Sequence, residues 1–195
     1  MNLIASYFLI FLMAAILPCE PDISMQNHAL TQGMHEQAQN IVLPCSPVDF
    51  RSDRHYFRGT GSGSHQNRAT AERIARLDAN ANLAAAISVT IHSVIDRYVM
   101  EQKDGTEASA SQRYTELTSS VTDQQLRHLN IACSEAIYNN GRFTVYMAVE
   151  VPKDNVLHTI ENETSEGKTD LDFQKSMFER IFNEEMEKLE KEKDQ

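Results

Sequence analysis

Between His55 and Glu101 the chain reads HYFRGTGSGSHQNRATAERIARLDANANLAAAISVTIHSVIDRYVME, and no other stretch limits the fold as tightly. Tyr56-Phe57-Arg58 carries a strand signal, and Gly59, Gly61 and Gly63 follow at alternate positions. Glycine lets backbones approach closely or take a positive φ. The pattern therefore predicts a three-glycine turn, with the strand passing beneath the helix it feeds. Ser64 is expected as the N-cap, with Asn67 three residues on, where a capping box would carry Glu. Ile74, Leu77, Ala81, Ala84, Ile87, Ile91, Val94 and Tyr98 then keep a three-four spacing, one apolar stripe of a long amphipathic helix. Ala in the first half suits close approach to a sheet, and Ile and Val in the second fill space where the sheet curves away. From His65 to Glu101 such a helix would run about 55 Å. Asn80 and Asn82 lower helix propensity and predict a kink or break near Asp78–Asn82.

A glycine-rich segment opening a helix can also cradle phosphate. A P-loop needs Gly-Lys-Ser/Thr, and no Lys stands here. A dinucleotide fingerprint needs G-x-G-x-x-G; counted from Gly59 its third glycine position is Ser64, and counted from Gly61 it is Gln66. Arg58, Gly59, Gly61, Ser62, Gly63 and Ser64 are accordingly candidates for a ligand-binding or, more simply, a packing turn.

Leu3–Leu17 is an apolar run, LIASYFLIFLMAAIL. It is shorter than the roughly 20 residues of a membrane span and suits a signal-peptide core. The n-region, Met1-Asn2, carries no basic side chain. The run ends Ile16-Leu17-Pro18-Cys19, a degenerate lipobox in which Pro18 replaces the small residue expected before the cut. Lipidation at Cys19 is the expectation, with a secreted soluble form or an uncleaved anchor as the other outcomes. A single acyl chain holds a protein weakly, so stable anchoring needs more than one. Residues 20–50 are polar and Pro-containing and read as a tether. Cys45 lies there. With Cys19 acylated, Cys45 and Cys133 remain, as a disulfide in an oxidising compartment or as two unpaired thiols. The strand phase around Cys133 favours the thiols.

Gln102–Ala110 reads as a loop and Arg113–Val121 as a polar strand with Leu117, Ser119 and Val121 on one face. In the next strand Leu129, Ile131, Cys133 and Ile137 share the inward face. Asn139-Asn140-Gly141-Arg142 is the strongest hairpin signal in the chain. Beyond it Phe143, Val145, Met147, Val149 and Val151 point inward, and Pro152 ends the strand. Lys153–Asp170 reads as a short helical turn and a polar loop. Leu171–Leu189 is a second amphipathic helix with a Phe178, Ile181, Phe182, Met186, Leu189 stripe, expected to pack on its own domain.

The 195-residue chain is 41% hydrophobic and carries a net charge of −10, twelve acidic against six basic side chains falling in Glu161–Gln195. So acidic a chain is a poor match for the phosphate backbone of nucleic acid. The acidic tail reads as a solvated helix face or an interaction arm. Neither CxxC nor a zinc-type Cys/His spacing occurs, and HExxH, GxSxG and a Cys/His nucleophile pattern are also missing. No metal, cofactor or catalytic residue is expected, and the chain reads as a non-enzyme.

Four features stand in order: the lipobox-like Cys19, YFRGTGSG (56–63) into an Ala-rich helix, VTDQQL (121–126) before a strand, and a hairpin ending YMAVEVP (146–152). In this order they resemble the LPP-twenty lipoproteins of bacterial cell envelopes, a group related in pattern to the N-terminal domain of flagellar assembly protein T. The resemblance covers roughly His55–Pro152. It implies an α+β domain with a long helix on an antiparallel sheet, an outer-membrane lipoprotein or periplasmic address, and no catalytic residue. The expected organisation is a signal peptide (1–19), a tether (20–50), an α+β domain of three or four curved antiparallel strands (51–155) and an acidic helical extension (156–195). Expected partners are the membrane, through Cys19, and an envelope protein or a second copy. The alternative is a soluble periplasmic or secreted ligand-binding module with its cleft at Gly59–Gly63. Any working surface is expected on the sheet face away from the long helix or on the C-terminal helix.

Overall fold

The computed structural model describes residues 43–101, 108–165 and 174–193; Cys19, the signal peptide and most of the tether lie outside them. The fold is α+β, one long helix and a C-terminal helix packed with a small antiparallel sheet. The elements run β1 (Tyr56–His65), α1 (Arg68–Glu101), α2 (Ala108–Leu126), β2 (Asn130–Asn139), β3 (Arg142–Pro152), α3 (Lys153–Ser165) and α4 (Lys175–Lys193). The three strands are ordered β1-β3-β2 and pair antiparallel.

The glycines form no turn. β1 continues straight through them, pairing Gly59 with Val149, Gly61 with Met147 and Gly63 with Val145. All three therefore face the same side as Phe57, against α1. A Cβ on Gly61 would stand 2.7 Å from the Ala75 carbonyl oxygen and closer still to the Ala79 nitrogen. One on Gly63 would stand 2.6 Å from the Ala75 nitrogen, and one on Gly59 2.7 Å from the Leu83 Cα. Two residues of strand advance about 6.6 Å and four residues of helix about 6.0 Å. A glycine at every second strand position thus meets a small residue at every fourth helix position, Ala71, Ala75 and Ala79, all fully buried.

That seam corrects the expected stripe. Ile74 and Leu77 point to solvent, 40% and 65% exposed. A strand with no side chains on one face leaves room only for methyl groups opposite, so the larger residues are excluded. Farther along, Leu83, Ile87, Ile91, Val94 and Tyr98 are fully buried, as the bulky second half requires. The helix is continuous over 34 residues, with no break at Asp78–Asn82. Its N-cap is Asn67, not Ser64: the Asn67 Oδ1 accepts from the Thr70 N–H at 3.1 Å.

Arg113–Val121 is helical, part of α2, and not a strand. Tyr114, Leu117, Thr118, Val121, Thr122 and Gln125 are buried at three-four spacing. The hydroxyls that resembled strand chemistry bond back one turn, Thr118 to the Tyr114 carbonyl at 2.9 Å and Thr122 to the Thr118 carbonyl at 2.8 Å. The hairpin at Asn140-Gly141 forms as the dipeptide predicts, with φ of 49° and 75°. Lys153–Ser165 makes a full helix rather than a turn, burying Val156, Thr159 and Ile160.

β2 departs from its expected phase. The register slips between Ile131 and Cys133, a β-bulge at Ala132. One extra residue reverses every side chain beyond it. Ile131 pairs with Val149 on the helix side, whereas Cys133 pairs with Ala148 and Ile137 with Thr144 on the opposite side. Cys133 is thus no core residue; it is disulfide-bonded to Cys45.

α4 is integral to the domain and not an appended arm. Phe178, Ile181, Phe182 and Met186 are buried, with Phe178 5.8 Å from the Tyr98 ring and Phe182 6.3 Å from Phe57. Its acid is also used internally. Arg97 on α1 pairs with Glu184 at 2.5 Å and Glu185 at 2.7 Å, and Arg180 with Glu101.

Candidate functional site

The sheet face turned away from α1 carries Tyr56, Arg58, Thr60, Ser62 and Ser64 from β1 and Thr144, Tyr146, Ala148 and Glu150 from β3, as the register dictates. Cys133, Glu135 and Ile137 of β2 complete it. The segment before β1 is fastened to this face by the Cys45–Cys133 disulfide, whose Cα atoms are 5.6 Å apart. Cys45 takes a positive φ of 49° to reach it. A short turn follows, closed by Ser46: its Oγ accepts from the Asp49 N–H at 3.2 Å, and its carbonyl accepts from the Phe50 N–H at 3.0 Å.

Farther on, Asp53 and Ser52 bind the start of β1. The Asp53 Oδ1 accepts from the backbone N–H groups of His55 and Tyr56 at 2.8 and 2.9 Å. Its other oxygen pairs with Arg58, which also pairs with Glu150 at 2.9 Å and donates to the Arg51 carbonyl at 2.9 Å. The Arg58 guanidinium lies 5.1 Å from the Tyr56 ring centre. Arg58 is therefore a clip between loop, β1 and β3, its Nε held by Glu150 and one terminal nitrogen shared between Asp53 and the Arg51 carbonyl.

Burial alone would raise the Asp53 carboxyl, but donation from Arg58 and from the two backbone N–H groups brings it below the ordinary carboxylate value. A carboxyl lowered in the folded state stabilises above its unfolded pKa, and that stabilisation fades as pH falls through the folded value. Asp53→Asn should thus be less stable than the parent at neutral pH, with the gap closing below about pH 4. Urea unfolding at a series of pH values checks this; parallel pH profiles for parent and variant would remove Asp53 as the acid-sensitive group.

A cleft of about 250 Å³ opens beside this clip. Its floor is the β1 edge at Thr60, Gly61 and Ser62; one wall is Asp78 and Asn82 of α1, the other Leu43–Pro47 with Tyr146. Asp78 accepts from the Ser62 N–H at 3.0 Å, and Asn82 donates to the Thr60 carbonyl at 2.7 Å. Each of these two side chains therefore commits one polar atom to the strand edge. What faces the opening is neutral hydroxyl and apolar surface with one carboxylate, Asp78, that has one oxygen bonded to the strand. Such a lining can hold a small, neutral, partly apolar group.

Of the six residues singled out around the glycines, only Gly61 and Ser62 line the cleft. Arg58 is held in its ion pairs, and Gly59 and Gly63 lie under α1. Ser64 accepts from Arg142 through its carbonyl at 3.2 Å. Asp53, Asp78 and Asn82 were not anticipated. The i, i+4 spacing of Asp78 and Asn82 was a legible signal, since it sets two polar groups one above the other on a helix. Nothing in the sequence marks Asp53.

No protein-family model matches this chain, and no curated protein matches it.

Proposed function

We propose that this chain is a non-enzymatic module of the bacterial cell envelope, exported, lipidated at Cys19 and used for protein binding or structural support. The observation that carries the reading is the Cys45–Cys133 cross-link. Disulfides persist in exported proteins and are rare where thiols are kept reduced. It agrees with the apolar run at Leu3–Leu17 and with Cys19 at its end. The LPP-twenty pattern in YFRGTGSG (56–63), the Ala-rich helix and YMAVEVP (146–152) points the same way. On this reading Cys45 ends a stretch joining a membrane-held Cys19 to the domain, and the disulfide fixes the point from which that stretch leaves.

The test is metabolic labelling. In a bacterial host, radiolabelled palmitate is expected to enter the parent chain and not Cys19→Ser. A parent chain that takes up no palmitate while being exported would overturn the anchor.

A second reading has an observation of its own. The cleft at Thr60-Gly61-Ser62 fits a soluble periplasmic module that binds a small neutral ligand. Asp78 and Asn82 each give one polar atom to the β1 edge, and this sets it second.

A further inference from the structure

The two edges of the sheet are treated in opposite ways. In β1 the odd-numbered residues pair with β3, so the even-numbered ones turn their N–H and C=O outward. At each of these residues at least one outward group is met. Asp53 bonds Tyr56 on both its N–H and carbonyl, and the Ser52 hydroxyl bonds Arg58 on both. Asn82 takes the Thr60 carbonyl, Asp78 the Ser62 N–H and Arg142 the Ser64 carbonyl. An edge treated so is closed to further pairing.

β2 has no such treatment. Asn130, Cys133, Glu135, Ile137 and Asn139 turn toward β3, which leaves the backbone of Ser134, Ala136 and Tyr138 aimed at the open edge. Among the described residues none bonds to those groups. The strand is ten residues long, and every residue but Cys133 is exposed, with Ile137 at 46% and Tyr138 at 63%. It holds no Pro or Lys, and Glu135 is its sole charge. An exposed, unblocked edge of this length is a template for another strand.

We propose that the strand it takes is β2 of a second copy, joined antiparallel across a two-fold axis at Ile137 into one sheet continuous over both chains. The register argues for this occupant. Pairing through the open edge puts residues 134, 136 and 138 in the hydrogen-bonded positions, and for at least two of them to pair with one another the axis must fall at 135, 136 or 137. At 135 the two Glu135 carboxylates would stand opposite each other, a like-charge pair. At 136 each Glu135 would face Ile137. At 137 Ile137 meets itself, Ala136 meets Tyr138 on the other face, small against large, and Glu135 meets the Asn139 amide. Every pair is then compatible, so of these three registers one is self-complementary. Leu43, the first described residue, sits by Asp78 and Asn82 at the far edge. This rests on the reading of the chain as an interaction module but not on lipidation, so the two can fail separately.

The full chain is expected to sediment as a dimer at tens of micromolar. Oxidised Ile137→Cys should give about tenfold more covalent dimer than Glu135→Cys, because only position 137 brings its own copy to the close, non-hydrogen-bonded separation of about 4.5 Å. Cys19 is present in every arm, so the parent sets the baseline. Ala136→Pro removes an N–H that faces the open edge and leaves the β3 ladder intact. It should sediment as a monomer with an unchanged circular dichroism spectrum; should it fail to fold, the cysteine pair decides. A monomeric parent, or Glu135→Cys cross-linking as readily as Ile137→Cys, would overturn the proposal.

Discussion

Gly61→Ala is expected to destabilise the domain by about 3 kcal/mol or more, one of the largest losses any single methyl group can cause here. The added Cβ falls against backbone, 2.7 Å from the Ala75 carbonyl oxygen and nearer to the Ala79 nitrogen. Neither can swing aside as a flexible side chain would. Relief requires α1 to rise from β1 along its length, and that opens Ala71, Ala75 and Ala79 together. The sign is as informative as the size. Were the glycines in a turn with ordinary φ, alanine would restrict the unfolded chain and stabilise by about 0.4–1 kcal/mol. Gly141→Ala is the internal comparison: it has open space around it but a φ of 75°, so its cost is local strain of about 1 kcal/mol. Urea unfolding of the three proteins checks the order. A Gly61→Ala midpoint at or above that of the parent would mean that the seam is not what holds α1 to the sheet.

Much of this architecture was written in local pattern. Asn140-Gly141 set the hairpin, and β3 alternated as a strand with one buried face should. Phe178, Ile181, Phe182 and Met186 named the buried face of α4. The failures share a cause: in each, the deciding partner was remote in sequence. The three-four spacing of Ile74, Leu77, Ala81 and Ala84 is as regular as that of Ala71, Ala75, Ala79 and Leu83, and spacing alone does not say which of the two faces the sheet. Here the opposing strand is bare glycine, so the smallest residues are the inner ones, and Ile74 and Leu77 are turned out. In α2, Leu117, Ser119 and Val121 fit a period of two as well as Tyr114, Leu117 and Val121 fit a helix, and packing against α1 and α3 decided for the helix. In β2, the bulge at Ala132 is invisible in the sequence. By reversing the phase it carried Cys133 from the expected core to the face where Cys45 waits. The candidate site suffered most. Ser62 was legible as a small polar residue in a glycine segment, whereas Asp53 and Asn82 matter because the fold brings them to the β1 edge.

Loss of the Cys45–Cys133 cross-link is the other change expected to act strongly. It joins residues 88 positions apart, so it closes a loop containing β1, α1, α2 and the first half of β2. Loop-closure entropy for that length is about 4–5 kcal/mol, and measured losses of native disulfides run about 2–5 kcal/mol. Reduction should therefore lower the urea midpoint substantially, and Cys45→Ser with Cys133→Ser should lower it by the same amount if the bond, not the thiol packing, is what counts. The damage should also be graded in space. The segment at Cys45–Asp53 is fixed at one end by the disulfide and at the other by Asp53 and Ser52. With the bond gone, the amides of Tyr56 and Arg58, which donate to Asp53 and Ser52, should exchange faster. Amides of the β2–β3 hairpin, held by their own ladder, should keep most of their protection. Hydrogen exchange on oxidised and reduced protein separates these regions. An unchanged urea midpoint after complete reduction would show that the loop is held by its hydrogen bonds alone, and would remove the support that the cross-link gives to an oxidising address.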